Sequence, residues 1–219
     1  MIWTLLLAHL LGDFPLQNNW MARCKWNFRV LFLHVSIHFV LMLLLVGPSR
    51  NLLWPYLLLL TLVHMGQDRL KIYLTDLWPK RMVLLFYLDQ FFHFAAIWGI
   101  VTWIQTDQSQ IIAPQNSNWA IIGIAYLVVT YVWYICERVI NYTDPEYLKN
   151  VEQTKLSRML SRSGLISLFF LIRGWVLPNT ALLLSWPYPD SIYRKRALIT
   201  DLSVSLIAFI FLFLTLGLG

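Results

Sequence analysis

His9-Leu-Leu-Gly-Asp13, His34-Val-Ser-Ile-His38, His64-Met-Gly-Gln-Asp68 and Asp89-Gln-Phe-Phe-His93 are four versions of one pattern: a histidine four residues from another histidine or an aspartate, once in each of four successive apolar segments. Between them they hold all five histidines of the 219-residue chain. A spacing of four is about one helical turn, so both members of a pair lie on one face of a helix. Chance placement gives on the order of one such pair in a chain of this composition. The pattern therefore reads as one site built by four helices.

The surroundings say in what medium those helices sit. Hydrophobic residues make up 58% of the chain and charged ones 13%, and the mean hydropathy is +0.61. With apolar runs near the length that crosses a bilayer, this is the composition of a polytopic membrane protein, all-α, with six to seven membrane segments. No composition shift or internal repeat marks a second domain, so residues 1–219 are expected to form one transmembrane domain: a site-bearing half, 1–105, and supporting helices over 119–219. The net charge of +6 does not point to nucleic acid, because the basic residues fall in short loops between apolar runs, where they orient helices and meet anionic lipid. Cys24 and Cys136 offer neither metal-ligand nor disulfide spacing. The first apolar stretch lacks a basic start and a small-residue cleavage site, and it carries His9 and Asp13, so it is expected to be kept as a helix.

Segment one runs from Ile2 to Asp13, where Pro15 removes a backbone donor, and Gly12 is expected to let another backbone come close. Leu16 to Trp26 is an interfacial turn of tryptophans and basic residues. Segments two, three and four are expected over Phe28 to Val46, Leu52 to Tyr73 and Met82 to Gln105. Thr106 to Asn118 is a polar loop, Trp119 to Val139 a fifth segment with Glu137 and no histidine, and Tyr142 to Lys155 a charged loop. Ser157 to Trp186, broken by Gly174 and Pro178 and carrying Arg173, reads as a re-entrant hairpin, with one kinked span as the alternative. A last segment covers Ala197 to Leu218.

Lys and Arg concentrate after segments one, three and five, from Arg23, Lys25 and Arg29 through Arg69, Lys71, Lys80 and Arg81 to Arg138, Lys149, Lys155, Arg158 and Arg162. This places the N-terminus outside and those loops in the cytoplasm. The hairpin reading also keeps Arg194 to Arg196 inside. Alternating helix direction then sorts the eight pair members into two layers. His9, His38, His64 and His93 form the outer one. Asp13, His34, Asp68 and Asp89 lie about 6 Å nearer the cytoplasm.

Ionisable groups inside a bilayer cost several kcal/mol each unless something compensates them. A divalent transition metal does so, and imidazole and carboxylate are its ligands. Zinc is the first expectation, with iron and manganese as alternatives, and eight donors suggest two ions bridged as in carboxylate bundles. Asp13, Asp68 and Asp89 are the candidate catalytic groups. Gln17, Ser36, Gln67 and Gln90 are candidates to orient the ligands, their plainer reading being polar packing. Arg69 and Lys71 are candidates to hold an anionic headgroup, or simple boundary anchors.

The strings His9-Leu-Leu-Gly-Asp13-Phe-Pro-Leu-Gln17, Leu33-His34-Val-Ser-Ile-His38-Phe, His64-Met-Gly-Gln-Asp68-Arg-Leu-Lys71 and Leu88-Asp89-Gln-Phe-Phe-His93 resemble the bacterial membrane family catalogued as domain of unknown function 3307, over residues 5 to 100. The resemblance implies a bacterial plasma (inner) membrane location and brings no activity; by looser fold-level analogy the arrangement is similar to inner-membrane metal-dependent hydrolases. The expected function is metal-dependent hydrolysis of a lipid or isoprenoid-type substrate reaching the site from the bilayer. A divalent metal-ion transporter, a bis-histidine haem electron carrier and a non-catalytic scaffold are the alternatives. No nucleic-acid partner is expected, and protein partners are not legible.

Overall fold

The first helix, α1, covers Ile2–Asp13, the bounds expected from the apolar run and Pro15. The computed structural model describes residues 1–107, 117–172 and 193–216, and those residues divide into two compact units, Met1–Ala120 and Ile121–Gly219. Among the described residues every regular element is helical. Helix α2, Asn19–Cys24, replaces the expected interfacial turn; the Asn18 side chain caps it by accepting from the Met21 N–H at 2.8 Å. Helix α3 covers Phe28–Leu45, with Asn27 as its cap, and Gly47 at φ +62° ends the run. Helices α4, Arg50–Leu77, and α5, Met82–Asp107, follow short 3₁₀ turns.

In the first unit α1 packs on α3, α3 on α4, α4 on α5 and α5 back on α1, a closed ring of four helices. One end of the interior is apolar: Leu5, Met42, Leu53, Leu57, Ile97 and Ile104 are buried there. Further along the same faces the apolar side chains give way to His9, His38, His64 and His93, all buried. The outer faces carry large apolar groups, with Phe32, Leu44, Leu62, Phe91 and Trp98 all more than half exposed. Such a surface asks for an apolar solvent.

Four helices are long and apolar enough to cross a membrane: Phe28–Leu45, Pro79–Asp107, Asn118–Ile140 and Arg194–Leu216. Helix α1 is apolar but shorter. Helix α4 is not among the four, although it has 28 residues: its start carries Arg50, Asn51 and Pro55, and its second half His64, Gln67, Asp68, Arg69, Lys71 and Asp76.

In the second unit, helix α6 covers Asn118–Ile140 with a π turn at Val128–Val132. The charged stretch read as a loop is largely helix α7, Pro145–Gln153. Asp144 caps it by accepting from the Tyr147 N–H at 3.0 Å, Pro145 opens it, and Tyr147 and Val151, one turn apart, are its buried face. Helices α8, Lys155–Ile172, and α9, Arg194–Leu216, complete the unit. Residues 173–192, and with them Arg173, Gly174, Pro178 and the choice between hairpin and kinked span, lie outside the described residues, as does most of the loop after Asp107.

Arg158 and Arg162, counted by the sequence reading among cytoplasmic loop charges, are 1% and 2% exposed. Arg158 donates to Asp201 Oδ1 at 2.7 Å and to Glu137 Oε1 at 2.9 Å; Arg162 donates to Asp201 Oδ1 at 2.7 Å and to the Val129 carbonyl in the π turn. Tyr147 donates to Glu137 at 2.5 Å. Two arginines and two acids thus balance each other in the interior, where either sign alone would be costly.

Candidate metal centre

Each helix of the first ring brings one i, i+4 pair to the common axis, and the pairs meet. Nε2 of His38, His34 and His64 lie 3.1, 3.2 and 3.8 Å from one oxygen, Asp13 Oδ1, and the His34 and His64 Nε2 atoms lie 3.3 Å apart. Ligands about 2.0–2.1 Å from a tetrahedral ion are separated by about 3.3 Å. These four atoms are close to that spacing. Two imidazole nitrogens at this distance share an N–H, when one ring carries its proton on Nε2, or a cation between them.

A second group, His64, Asp68 and His93, has ligand atoms within the same reach. His93 Nε2 lies 3.3 Å from Asp89 Oδ1 and 3.9 Å from Asp68 Oδ1. Four cluster atoms, His9 Nε2, His93 Nε2, Asp89 Oδ1 and His34 Nδ1, are buried and have no hydrogen-bond partner among the described residues. The two groups share His64, whose Nε2 is also 3.6 Å from Asp68 Oδ2. One imidazole nitrogen binds one ion, so His64 serves one group at a time unless its ring rotates.

The two layers expected from helix direction are not separated in these contacts. The His34 ring lies 4.6 Å from that of His38 and 5.4 Å from that of His64, within the 4.2–5.6 Å range of the ring contacts among His9, His38, His64 and His93. Asp13, expected in the inner layer, meets His38 and His64 of the outer one.

Gln67 and Gln90 reach the cluster. Gln67 donates to the Phe92 carbonyl at 3.0 Å, which turns its own carbonyl oxygen toward His93 Nδ1 at 2.6 Å. Nδ1 then carries the proton, and Nε2 presents its lone pair to the centre. Gln90 donates to Asp13 Oδ2 at 3.2 Å. Ser36 does not reach: its hydroxyl donates to the Phe32 carbonyl of its own helix. Gln17 is half-buried, and among the described residues no hydrogen bond joins it to the cluster.

Two basic residues behave differently from the sequence reading. Lys25, read as a boundary anchor, turns inward from the end of α2; its Nζ donates to Asp68 Oδ2 at 2.9 Å and lies 2.9 Å from His34 Nε2. Lys71 donates to Asp89 Oδ2 at 2.7 Å. Arg69 instead reaches the Trp26 carbonyl at 3.0 Å and ties α4 to the end of α2. Gly12 also has a role other than expected. What it admits is the His38 ring: a Cβ there would fall 2.5 Å from Cε1 and 2.8 Å from Cδ2, so any side chain would push His38 out of place.

Two cavities adjoin the cluster. A small one of about 20 Å³ lies against His9, His38, His64 and His93 and is closed by Leu5, Met42 and Leu60; it has room for about one water. A larger one of about 240 Å³ opens between α4 and α5, and Asp89, Lys71 and Gln67 stand in its wall.

Residues 1–122 match the family described as Protein of unknown function (DUF3307), over more than half of the chain, and the chain belongs to that family. No curated protein and no solved structure matches it.

Proposed function

We propose that this DUF3307 protein is a metal-dependent hydrolase of a lipid or isoprenoid-type substrate, seated in a bacterial plasma membrane with its N-terminus outside and its metal centre in the cytoplasmic half of the bilayer. The observation that carries the reading is the convergence of Asp13, His34, His38 and His64 at the edge lengths of a tetrahedral site. Zinc suits three imidazoles and one carboxylate best, with iron or manganese as alternatives. Four protein ligands close that position, as in sites that hold an ion rather than work on it.

The second position lies around His93, whose Nε2 is 3.3 Å from Asp89 Oδ1 and 3.9 Å from Asp68 Oδ1. Asp68, Asp89 and His93 would hold a divalent ion there, which would supply a Lewis acid and a lowered water pKa. Asp68 would take the proton of a water attacking a carbonyl carbon or phosphorus, and would pass it to the leaving oxygen as the bond to that oxygen breaks. Lys71, 2.7 Å from Asp89 Oδ2, would stand beside the developing negative charge, and the low dielectric would strengthen that interaction.

A carrier must release its ion. A closed set of four ligands beside a cavity with room for about one water favours retention. Elemental analysis of protein purified without chelator or polyhistidine tag is the direct test. About two equivalents of metal are expected in the intact chain, and fewer in Asp68→Ala and Asp89→Ala. Full metal content in both variants, or none in the parent, would overturn the reading.

A further inference from the structure

We infer that the crevice between α4 and α5 is the binding site of a lipid carrying an anionic, phosphate-type headgroup, with Lys71 as its receptor and the chain lying along the leucines beneath. It rests on the hydrolase reading only in calling that lipid a substrate. The crevice measures about 240 Å³. Its walls are of two kinds. Leu70, Leu74, Leu85, Leu88 and Phe92 offer hydrocarbon, whereas Gln67, Lys71 and Asp89 stand together at its polar side.

Three observations commit the crevice to this occupant. The first is continuity with the metal centre. Asp89 lines the crevice and lies 3.3 Å from His93 Nε2, and Gln67 lines both this crevice and the small cavity beside the histidines. A headgroup at Lys71 is thereby next to the ligands.

The second is charge. Lys71 Nζ has three N–H donors, one of which Asp89 Oδ2 takes at 2.7 Å. Its side chain is still 30% exposed, toward the crevice. A neutral chain would need no such cation, and an anion would complete it.

The third is depth. The crevice lies at the end of α4 and the start of α5, beside Asp76, Lys80 and Arg81, the composition of a headgroup boundary. The apolar side chains Leu70 and Leu88 are 56% and 41% exposed there. A phosphate at Lys71 would leave its chain running away from the boundary along hydrocarbon.

The test uses the full chain in nonionic detergent, titrated with dioleoyl phosphatidic acid, dioleoyl phosphatidylcholine or inorganic phosphate, and read by native mass spectrometry alongside metal content. Phosphatidic acid is expected to bind at least tenfold more tightly than phosphatidylcholine, and inorganic phosphate is expected not to displace it. Leu74→Trp, which fills a half-buried part of the crevice, is expected to weaken phosphatidic acid at least tenfold with metal content unchanged. Lys71→Gln is expected to abolish the preference between the two lipids. Equal binding of both lipids by the parent chain, displacement by inorganic phosphate alone, or undiminished binding in Leu74→Trp at full metal content would overturn the inference. Selective lipid binding by a chain holding no metal would uphold the site and overturn the hydrolase reading alone.

Discussion

At the scale of single residues, the centre depends on side chains that are not ligands. Gln67 fixes His93 by a hydrogen bond whose direction is set by the Phe92 carbonyl. Gln67→Leu frees the ring to present either nitrogen, and metal affinity measured by competition with a chromogenic chelator is expected to fall about 10–100-fold. Gly12→Ala forces the His38 ring away, so the variant is expected to lose metal while its helix content by circular dichroism stays unchanged. Lys25 acts in the opposite sense. Lys25 Nζ lies 2.9 Å from both Asp68 Oδ2 and His34 Nε2 and would repel a divalent ion held by those groups, so Lys25→Met is expected to bind metal about tenfold more tightly or better. Weaker binding would show that Lys25 supports the centre rather than competing with it. The residues of the His/Asp cluster were legible because a spacing of four on a helix is a geometric statement. Lys25 and Lys71 were not, because a long flexible side chain at a helix end can extend to the headgroups or fold inward, and its position in the sequence is the same in both cases.

At the scale of elements, Ile2–Asp13 was found as expected, α3 and α5 differ from expectation by one or two positions at one end, and α4 extends the expected Leu52–Tyr73 by two residues at its start and four at its end. Periodicity and punctuation by Pro15, Gly47 and Pro79 carry that much. Helix α7 was missed because charge was taken as the mark of a loop, although Asp144-Pro145 followed by Tyr147 and Val151 is a start signal with a buried face. Asp144→Ala is expected to lower the stability of this element by about 1 kcal/mol, read from amide exchange on α7. Burial, and then the hydrogen bond to Glu137, hold the Tyr147 hydroxyl above the usual tyrosine range. The unfolded chain ionises near pH 10. Stability from this group is therefore full below about pH 10 and is lost as pH rises toward the raised folded value. Tyr147→Phe is expected to flatten that alkaline slope in thermal melts.

At the scale of the molecule, the two compact units solve the same problem with different chemistry. The first gathers imidazoles and carboxylates, which a metal can neutralise; the second sets Arg158 and Arg162 against Asp201 and Glu137. That second set had a signal in the sequence: Asp201 stands alone in an apolar span, and a lone acid there needs a partner. What the sequence lacked was the identity of the partner, 43 residues away. Asp201→Asn leaves two buried guanidiniums with one acid, and a loss of about 3–5 kcal/mol is expected in chemical unfolding followed on the second unit, with metal content unchanged. The inward turn of Lys25 bears on biogenesis. With Lys25 on Asp68 and Lys71 on Asp89, the four-helix ring can be assembled during membrane insertion before any ion is delivered. On the proposed metal reading, maturation would be an exchange in which the incoming ion displaces the Lys25 ammonium at the end of α2, where Trp20 within the helix and Trp26 after it are both more than half exposed. A cell starved of metal would therefore accumulate inserted, protease-resistant protein awaiting activation rather than a degraded chain, and a pulse of metal after synthesis has stopped would suffice to complete it.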